Sequence, residues 1–396
     1  MKTGNLLFYL KIEMKNILII SKNGSLKAEL ENTGFFSDVK TSVSFTSKKL
    51  NRIDILIVDG LTISYDQYLG NFSKFLKQVK SNYYIAKDLD TYSTVNKNLS
   101  GYGIIVIPPL LTDTQITQKI CSLAVEDFAV KNNIFCFFGA GPGVGTTMIS
   151  QSVAQVLSDL IGKSIIFLAL DGSYGTTYFD IDSRSGGLAE IKERLINNIL
   201  SADELKNSCI KTGSLYVLPG ENDISKVRHY YPEHIEKLTY LSSKTFDITI
   251  INAGSAITGM SIGALNSSKL KYLITTQSYK HFRNFEKLVD QIFVNLGINT
   301  DDFSLVVNKY IESSDLEDEI SLSKNYGMPL ASVIPLLDYT LGLEAENKGK
   351  TLVGYDRIFS CSIRQLAVFM CKELGIEIKD KEVVKGSLFK RILRKG

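Results

Sequence analysis

The chain has 396 residues, enough for two domains or one large one, with the apolar content of an ordinary globular protein. Its net charge of +3 is too small for a general nucleic-acid binder, so no specific nucleic acid is expected as a partner. The charge is also uneven: residues 381–396 carry six basic side chains against one acidic one, which leaves the rest of the chain close to neutral.

Residues 1–14 read as an N-terminal extension. The apolar run at 6–10 is too short for a membrane span and lacks the cleavage region of a signal peptide. The first short apolar run, Ile17-Leu18-Ile19-Ile20, has the form of a parallel strand buried on both faces. A helical stretch follows over 26–32. Further strands are predicted at 54–60, 83–86 and 103–107, with helical segments between them. Strands alternating with helices imply a doubly wound parallel sheet, so the fold class is α/β. This first unit is expected to span 15–129, closing on a linker at 130–133.

The motif pattern of this unit resembles a response-regulator receiver domain. Asp54 and Asp59 match the acidic positions that open and close that family's third strand. The chemistry is not complete. Receivers hold magnesium with an acidic pair after the first strand, and here that place reads Ser21-Lys22-Asn23. The lysine after the fifth strand is replaced by Pro108-Pro109. Without a metal cradle Asp59 has no means of neutralising an incoming phosphoryl group. The resemblance therefore implies a pseudo-receiver that docks to a partner or to its own copy.

A second α/β unit is expected over 130–375, with strands at 134–138, 164–170, 215–218, 248–251, 272–275 and 303–307. Its strongest local signal is a strand, a glycine-rich loop and a helix at 134–160. Glycines let a backbone approach phosphate closely, and successive N–H groups with the helix N-terminus bind the anion. A tight strand-to-helix turn would use the same residues. In the phosphate-loop pattern GxxxxGK[ST], Ala140 takes the first glycine place and Gly145 the second. Thr146 stands where the lysine would be. Thr147 keeps the hydroxyl that would face Mg2+. The candidate nucleotide site is thus Gly141, Pro142, Gly143, Val144, Gly145, Thr146 and Thr147. Cys121, Cys136, Cys209, Cys361 and Cys371 form no CxxC pair and read as buried free thiols of a reducing cytoplasm. His229 and His234 are spaced poorly for a metal site.

Three later features occur in the order seen in the MinD/ParA superfamily of phosphate-loop ATPases, which the second unit resembles. Residues 246–254 resemble its Walker B strand, with Asn252 in place of the terminal aspartate. Asn308, after Val306-Val307, matches the asparagine that reads adenine. Val333-Ile334-Pro335 and residues 344–350 match a C-terminal signature. Gly141 holds the place of that superfamily's early loop lysine. Within the superfamily the chain resembles the TadZ/CpaE pilus-assembly proteins, which join a receiver-like domain to a MinD-like one. Residues 168–177 resemble their D-x-D-x-x-x-G strand end, with Ala169 for the first aspartate. Asp171 and Asp247 remain, and neither is expected at the catalytic place.

The resemblance implies a localisation or scaffold factor for a Tad/Flp-like type IV pilus or related secretion machine. Four matched losses, at 141, 146, 169 and 252, imply little hydrolysis. The site would hold ATP or ADP weakly, with Mg2+ through Thr147, or stand nucleotide-free. The alternative is an active ParA/MinD-type ATPase that positions plasmid, chromosome or division proteins. A homodimer is implied, dependent on surface packing more than on ATP. The last segment, 376–396, reads as a basic amphipathic helix: Leu388, Phe389, Ile392 and Leu393 form one stripe, with Lys390, Arg391, Arg394 and Lys395 beside or opposite it. It suits an anionic membrane surface and resembles the C-terminal targeting helix of MinD, which would place the protein at the inner face of the cytoplasmic membrane. A helix docked on its own domain, or a solubilising tail, would also account for it.

Overall fold

The computed structural model describes residues 15–33, 36–45, 53–75, 79, 81–124, 133–172, 176–179, 186–197, 199–376 and 378. The N-terminal extension, most of the linker at 130–133 and the tail residues assigned to a membrane surface (Leu388, Phe389, Lys390, Arg391, Ile392, Leu393, Arg394 and Lys395) lie outside the described residues. The described residues fall into two compact units: one within 1–129 with 291–297, the other within 130–290 with 298–396.

In the first unit the strands are β1 (Lys15–Ile20), β2 (Phe36–Ser42), β3 (Ile55–Asp59), β4 (Ser81–Ile85) and β5 (Ile105–Ile107). They form a five-stranded parallel sheet in the order β2-β1-β3-β4-β5, an arrangement found in doubly wound folds. Successive strand residues point to opposite faces, and here both faces are covered. Leu18, Ile20, Leu56 and Val58 join Val95 and Leu99 in one cluster, whereas Ile17, Ile19, Ile55 and Ile57 join Leu26, Leu30, Ile116 and Ile120 in another. Two-sided burial is why these strands are uninterrupted apolar runs. The edge strand β2 escaped the sequence reading because only Phe36, Val39 and Ser42 are buried. That spacing is neither a run nor an alternation.

The second unit has β6 (Ile134–Gly139), β7 (Ile165–Ala169), β8 (Ile210–Thr212), β9 (Leu215–Leu218), β10 (Ile248–Asn252), β11 (Leu270–Thr275), β12 (Phe303–Tyr310) and β13 (Leu330–Pro335). The eight-stranded sheet runs β13-β12-β11-β6-β10-β7-β9-β8, and its neighbouring strands are parallel except β8 with β9. The sequence reading missed β8, which has no buried residue, and read β13 only as an Ile-Pro signature. Helices Thr146–Ile161 and Arg357–Glu373 pack on each other, and Arg357–Glu373 also covers β13. Phe135, Phe137, Ile149, Val153, Ile250, Ile274, Ile363, Leu366 and Met370 are buried in their common core, each large side chain contributing about 1.5–3 kcal/mol. All five cysteines are free. Cys121, Cys136 and Cys371 are buried, but Cys209 is only partly so and Cys361 is exposed on its helix, which corrects the expectation that all five are enclosed.

The topology places one end of β6 at a switch point. The chain leaves β6 for β7 on the side of β10 and later adds β11 on the other side. Ligands of open α/β sheets bind at such crevices beyond the carboxyl ends of the strands.

Candidate phosphate-binding site

The loop that follows β6 is anchored at its base by the flanking strands. Gly139 N–H donates to the Gly254 carbonyl (2.8 Å) and Ala140 N–H to that of Ile274 (2.9 Å). Asn284 Nδ2 donates to the Ala140 carbonyl at 2.6 Å. Gly143 and Gly145 have φ of 75° and 96°, a left-handed conformation that costs a residue with a Cβ roughly 1–2 kcal/mol. Helix Thr146–Ile161 starts directly after Gly145. Its first N–H groups, unsatisfied within the helix, therefore open onto the loop.

Two residues hold the loop from β12. Asn308 Nδ2 donates to the Val144 carbonyl at 2.7 Å, and Lys309 Nζ donates to that of Gly143 at 2.8 Å. Asn308 thus clamps the loop. Thr146, in the lysine's place, is buried. Its Oγ1 lies 2.6 Å from where a Cβ on Gly139 would sit, so the side chain turns under the loop. At Gly141 a Cβ would meet the His281 ring at 2.8 Å; the imidazole occupies the space that any side chain at 141 would need. Thr276 Oγ1 and His281 Nδ1 are hydrogen-bonded at 2.8 Å. Burial, and then the charges of Lys280 and Lys309, lower the His281 pKa from its ordinary value.

Positive charge reaches the loop from outside it. A cleft of about 250 Å³ is lined by Gly141, Pro142, Lys280, His281, Arg283, Asn284 and Lys287. The cations recur at i, i+3 and i+7 along helix Tyr279–Leu288, one helical face. That spacing was readable in the sequence and was missed, as were Lys309 and Asn284.

At the other side of the loop Asn252, Thr147 and Asp171 meet. Asn252 Nδ2 donates to Asp171 Oδ2 at 2.9 Å and to Thr147 Oγ1 at 3.2 Å. Thr147 Oγ1 donates to Asp171 Oδ2 at 3.2 Å. Asp171, which the sequence does not put at the catalytic place, is brought to the loop by the turn after β7. Asp247 does lie elsewhere: its Oδ2 accepts from Ser164 N–H and Oγ at 3.0 and 2.7 Å before β10 begins.

In the first unit Asp54 Oδ2 accepts from Asn16 N–H at 3.0 Å, tying β3 to β1. Asp59, at the other end of β3, accepts from Ser21 Oγ at 2.7 Å, Leu61 N–H at 2.9 Å and Thr62 Oγ1 at 3.3 Å. The two carboxylates do not meet in one site. His234 Nδ1 accepts from Tyr231 N–H at 3.2 Å, and among the described residues no group of His, Cys, Asp or Glu is arranged to hold a metal ion.

A parallel sheet, a glycine loop at its switch point and a helix opening on that loop define a phosphate-loop nucleoside-triphosphatase fold. The second unit has specifically the fold of the ParA/MinD ATPases. It is similar to a ParA family ATPase from Chlorobium tepidum (19% identity, 60% of this chain and 99% of that one, TM-score 0.52). It is also similar to the septum site-determining protein MinD complexed with Mg-ADP from Pyrococcus horikoshii (18%, 63% and 99%, TM-score 0.51) and to the cell division ATPase MinD of Pyrococcus furiosus (18%, 61% and 99%, TM-score 0.50). No family model matches the chain. Among curated proteins it is 25% identical over 151 residues, 36% of its length, to a Klebsiella pneumoniae protein named "Putative tyrosine-protein kinase in cps region". The chain spans about a fifth (20%) of the length of that relative.

Proposed function

We propose that this protein is a nucleotide-binding scaffold of ParA/MinD fold that localises the assembly of a Tad/Flp-like type IV pilus or related secretion machine and hydrolyses ATP little or not at all. The observation that carries the reading is the phosphate loop itself: its cradle is kept while both lysine places are closed. Gly143 has open space above it, and the left-handed Gly143 and Gly145 shape the turn. An anion there would be held by loop N–H groups, the helix N-terminus and nearby Lys309. Thr146 is tucked beneath the loop, and His281 fills the space beside Gly141. Phosphoryl transfer rests on positioning and on neutralising charge over the phosphates, and no loop lysine supplies that charge.

The remaining parts of the reading concern partners. The first unit serves as a docking module, since the side-chain partners of Asp59 suit a structural role better than a phosphoacceptor one. A homodimer forms by surface packing, and the basic tail rests on an anionic membrane at the inner face of the cytoplasmic membrane. Binding of a fluorescent ATP analogue together with steady-state hydrolysis tests the first part. The expected result is saturable binding with turnover at the background of a Thr146→Ala variant. Turnover at rates usual for ATPases that Thr146→Ala abolishes would sink the reading, and so would autophosphorylation on tyrosine, the outcome that the kinase-like relative favours. Co-sedimentation with anionic vesicles tests the tail: deletion of 385–396 should abolish pelleting.

A further inference from the structure

ATPases of this fold are expected to hold a divalent cation between the loop hydroxyl, an acidic group at the next strand end and the nucleotide phosphates. The residues present here do not fit one. Mg2+ demands oxygen lone pairs at about 2.0–2.1 Å in near-octahedral array. Thr147 Oγ1 and Asp171 Oδ2 are the two oxygens that face each other here, and the fully buried amide of Asn252 is bonded to both. An amide NH2 group has two hydrogens to give and no lone pair to offer.

The orientation of that amide is fixed by a third contact. Gly254 N–H donates to Asn252 Oδ1 at 3.2 Å. Turning the amide over would set its NH2 against the Gly254 N–H, donor against donor, and would break both bonds to Thr147 and Asp171. Asn252 therefore presents its positive edge to the loop. The Thr147 hydroxyl also spends its proton on Asp171. Thr147, Asp171 and Asn252 make a closed ring of hydrogen bonds in which the amide does for the carboxylate what a cation would otherwise do.

We propose that the phosphate site of this protein works without a divalent cation, with the Asn252 amide in the cation's role of joining Thr147 to Asp171. This rests on the nucleotide-binding reading above, but the ring is a property of the chain alone and can be tested without nucleotide. An aspartate at 252 would set a second carboxylate about 3 Å from that of Asp171, and two such groups cannot both ionise unless a cation or a shared proton joins them.

The experiment uses the full-length protein and Asn252→Asp in two measurements. One is ATP affinity with Mg2+ or with EDTA. The other is the melting temperature of the nucleotide-free protein as MgCl2 is added. For the wild type, affinity should agree within about twofold between Mg2+ and EDTA, and the melting temperature should not move with Mg2+. Asn252→Asp should melt lower in EDTA and recover as Mg2+ is added. A wild-type affinity that EDTA weakens by about tenfold or more, or a wild-type melting temperature that Mg2+ alone raises, overturns the proposal. If the wild type binds no ATP, the nucleotide reading fails by itself. The proposal then stands or falls on whether Mg2+ moves the wild-type melting temperature, a measurement that does not need the variant to fold.

Discussion

Gly143 and Gly145 offer a matched pair of perturbations that isolates the Asn308 clamp. Both are left-handed, at φ 75° and 96°. A Cβ on Gly143 would meet nothing within 4 Å, whereas one on Gly145 would fall on the amide nitrogen of Asn308. Gly143→Ala should therefore cost only the backbone penalty, about 1–2 kcal/mol. Gly145→Ala should cost that plus displacement of Asn308 from the Val144 carbonyl, which it meets at 2.7 Å. Breaking that buried bond adds about 1–3 kcal/mol, so the total is about 2–5 kcal/mol. The assay is urea denaturation of the full chain, followed by the double variant Gly145→Ala with Asn308→Ala. Once the amide is removed the added methyl has room, so the double variant should be more stable than the sum of the single losses predicts, by about 1–3 kcal/mol. Equal destabilisation by Gly143→Ala and Gly145→Ala, or strict additivity with Asn308→Ala, would refute the clamp.

Lys309→Ala removes the ammonium that bonds the Gly143 carbonyl; it should weaken nucleotide binding by about ten- to a hundredfold, since charge-assisted bonds contribute about 1.5–3 kcal/mol, as measured by titration calorimetry. Asp59→Ala leaves Ser21 Oγ and Leu61 N–H without their carboxylate partner. It should lower the denaturation midpoint, and acetyl phosphate should label neither form. Tyr272→Phe tests a half-buried acid, Glu373. Burial raises the Glu373 pKa above its ordinary value, and the Tyr272 hydroxyl bonded to it partly opposes that rise. A raised native pKa gives stability that is present below the unfolded value and is lost as pH rises through the native one. Removing the hydroxyl raises that pKa further, so Tyr272→Phe should be more destabilising at pH 7 than near pH 4. Urea midpoints at the two pH values decide it, and an equal loss at both would count against the pairing.

Much of the architecture was legible because buried parallel strands are read as apolar runs. Ile17–Ile20 and the β6 residues Phe135 to Phe138 are enclosed on both faces, and each stood out unaided. The strands missed have another physics. Three-residue β8 buries nothing, and β2 sits at an edge with polar residues between its buried ones. At the site, the loop and Asn252 could be placed because they lie at strand ends, where motif spacing is short. The cations of helix Tyr279–Leu288 reach the loop only through the fold, across a sheet order that no local pattern announces. Thr146 is the reverse case. Its position was plain from the sequence, but that its side chain turns inward against Gly139 was not.

The contact between Gly141 and His281 bears on how this loop could change over time. A side chain at 141 depends on what stands at a second position, 281. A lysine reintroduced at 141 meets the imidazole before it can meet a ligand, so His281 would have to be replaced first, at the loss of its bond to Thr276. The order of substitutions is therefore constrained, and a variant library that restores lysines at 141 and 146 alone should yield poorly folded proteins more often than active ones.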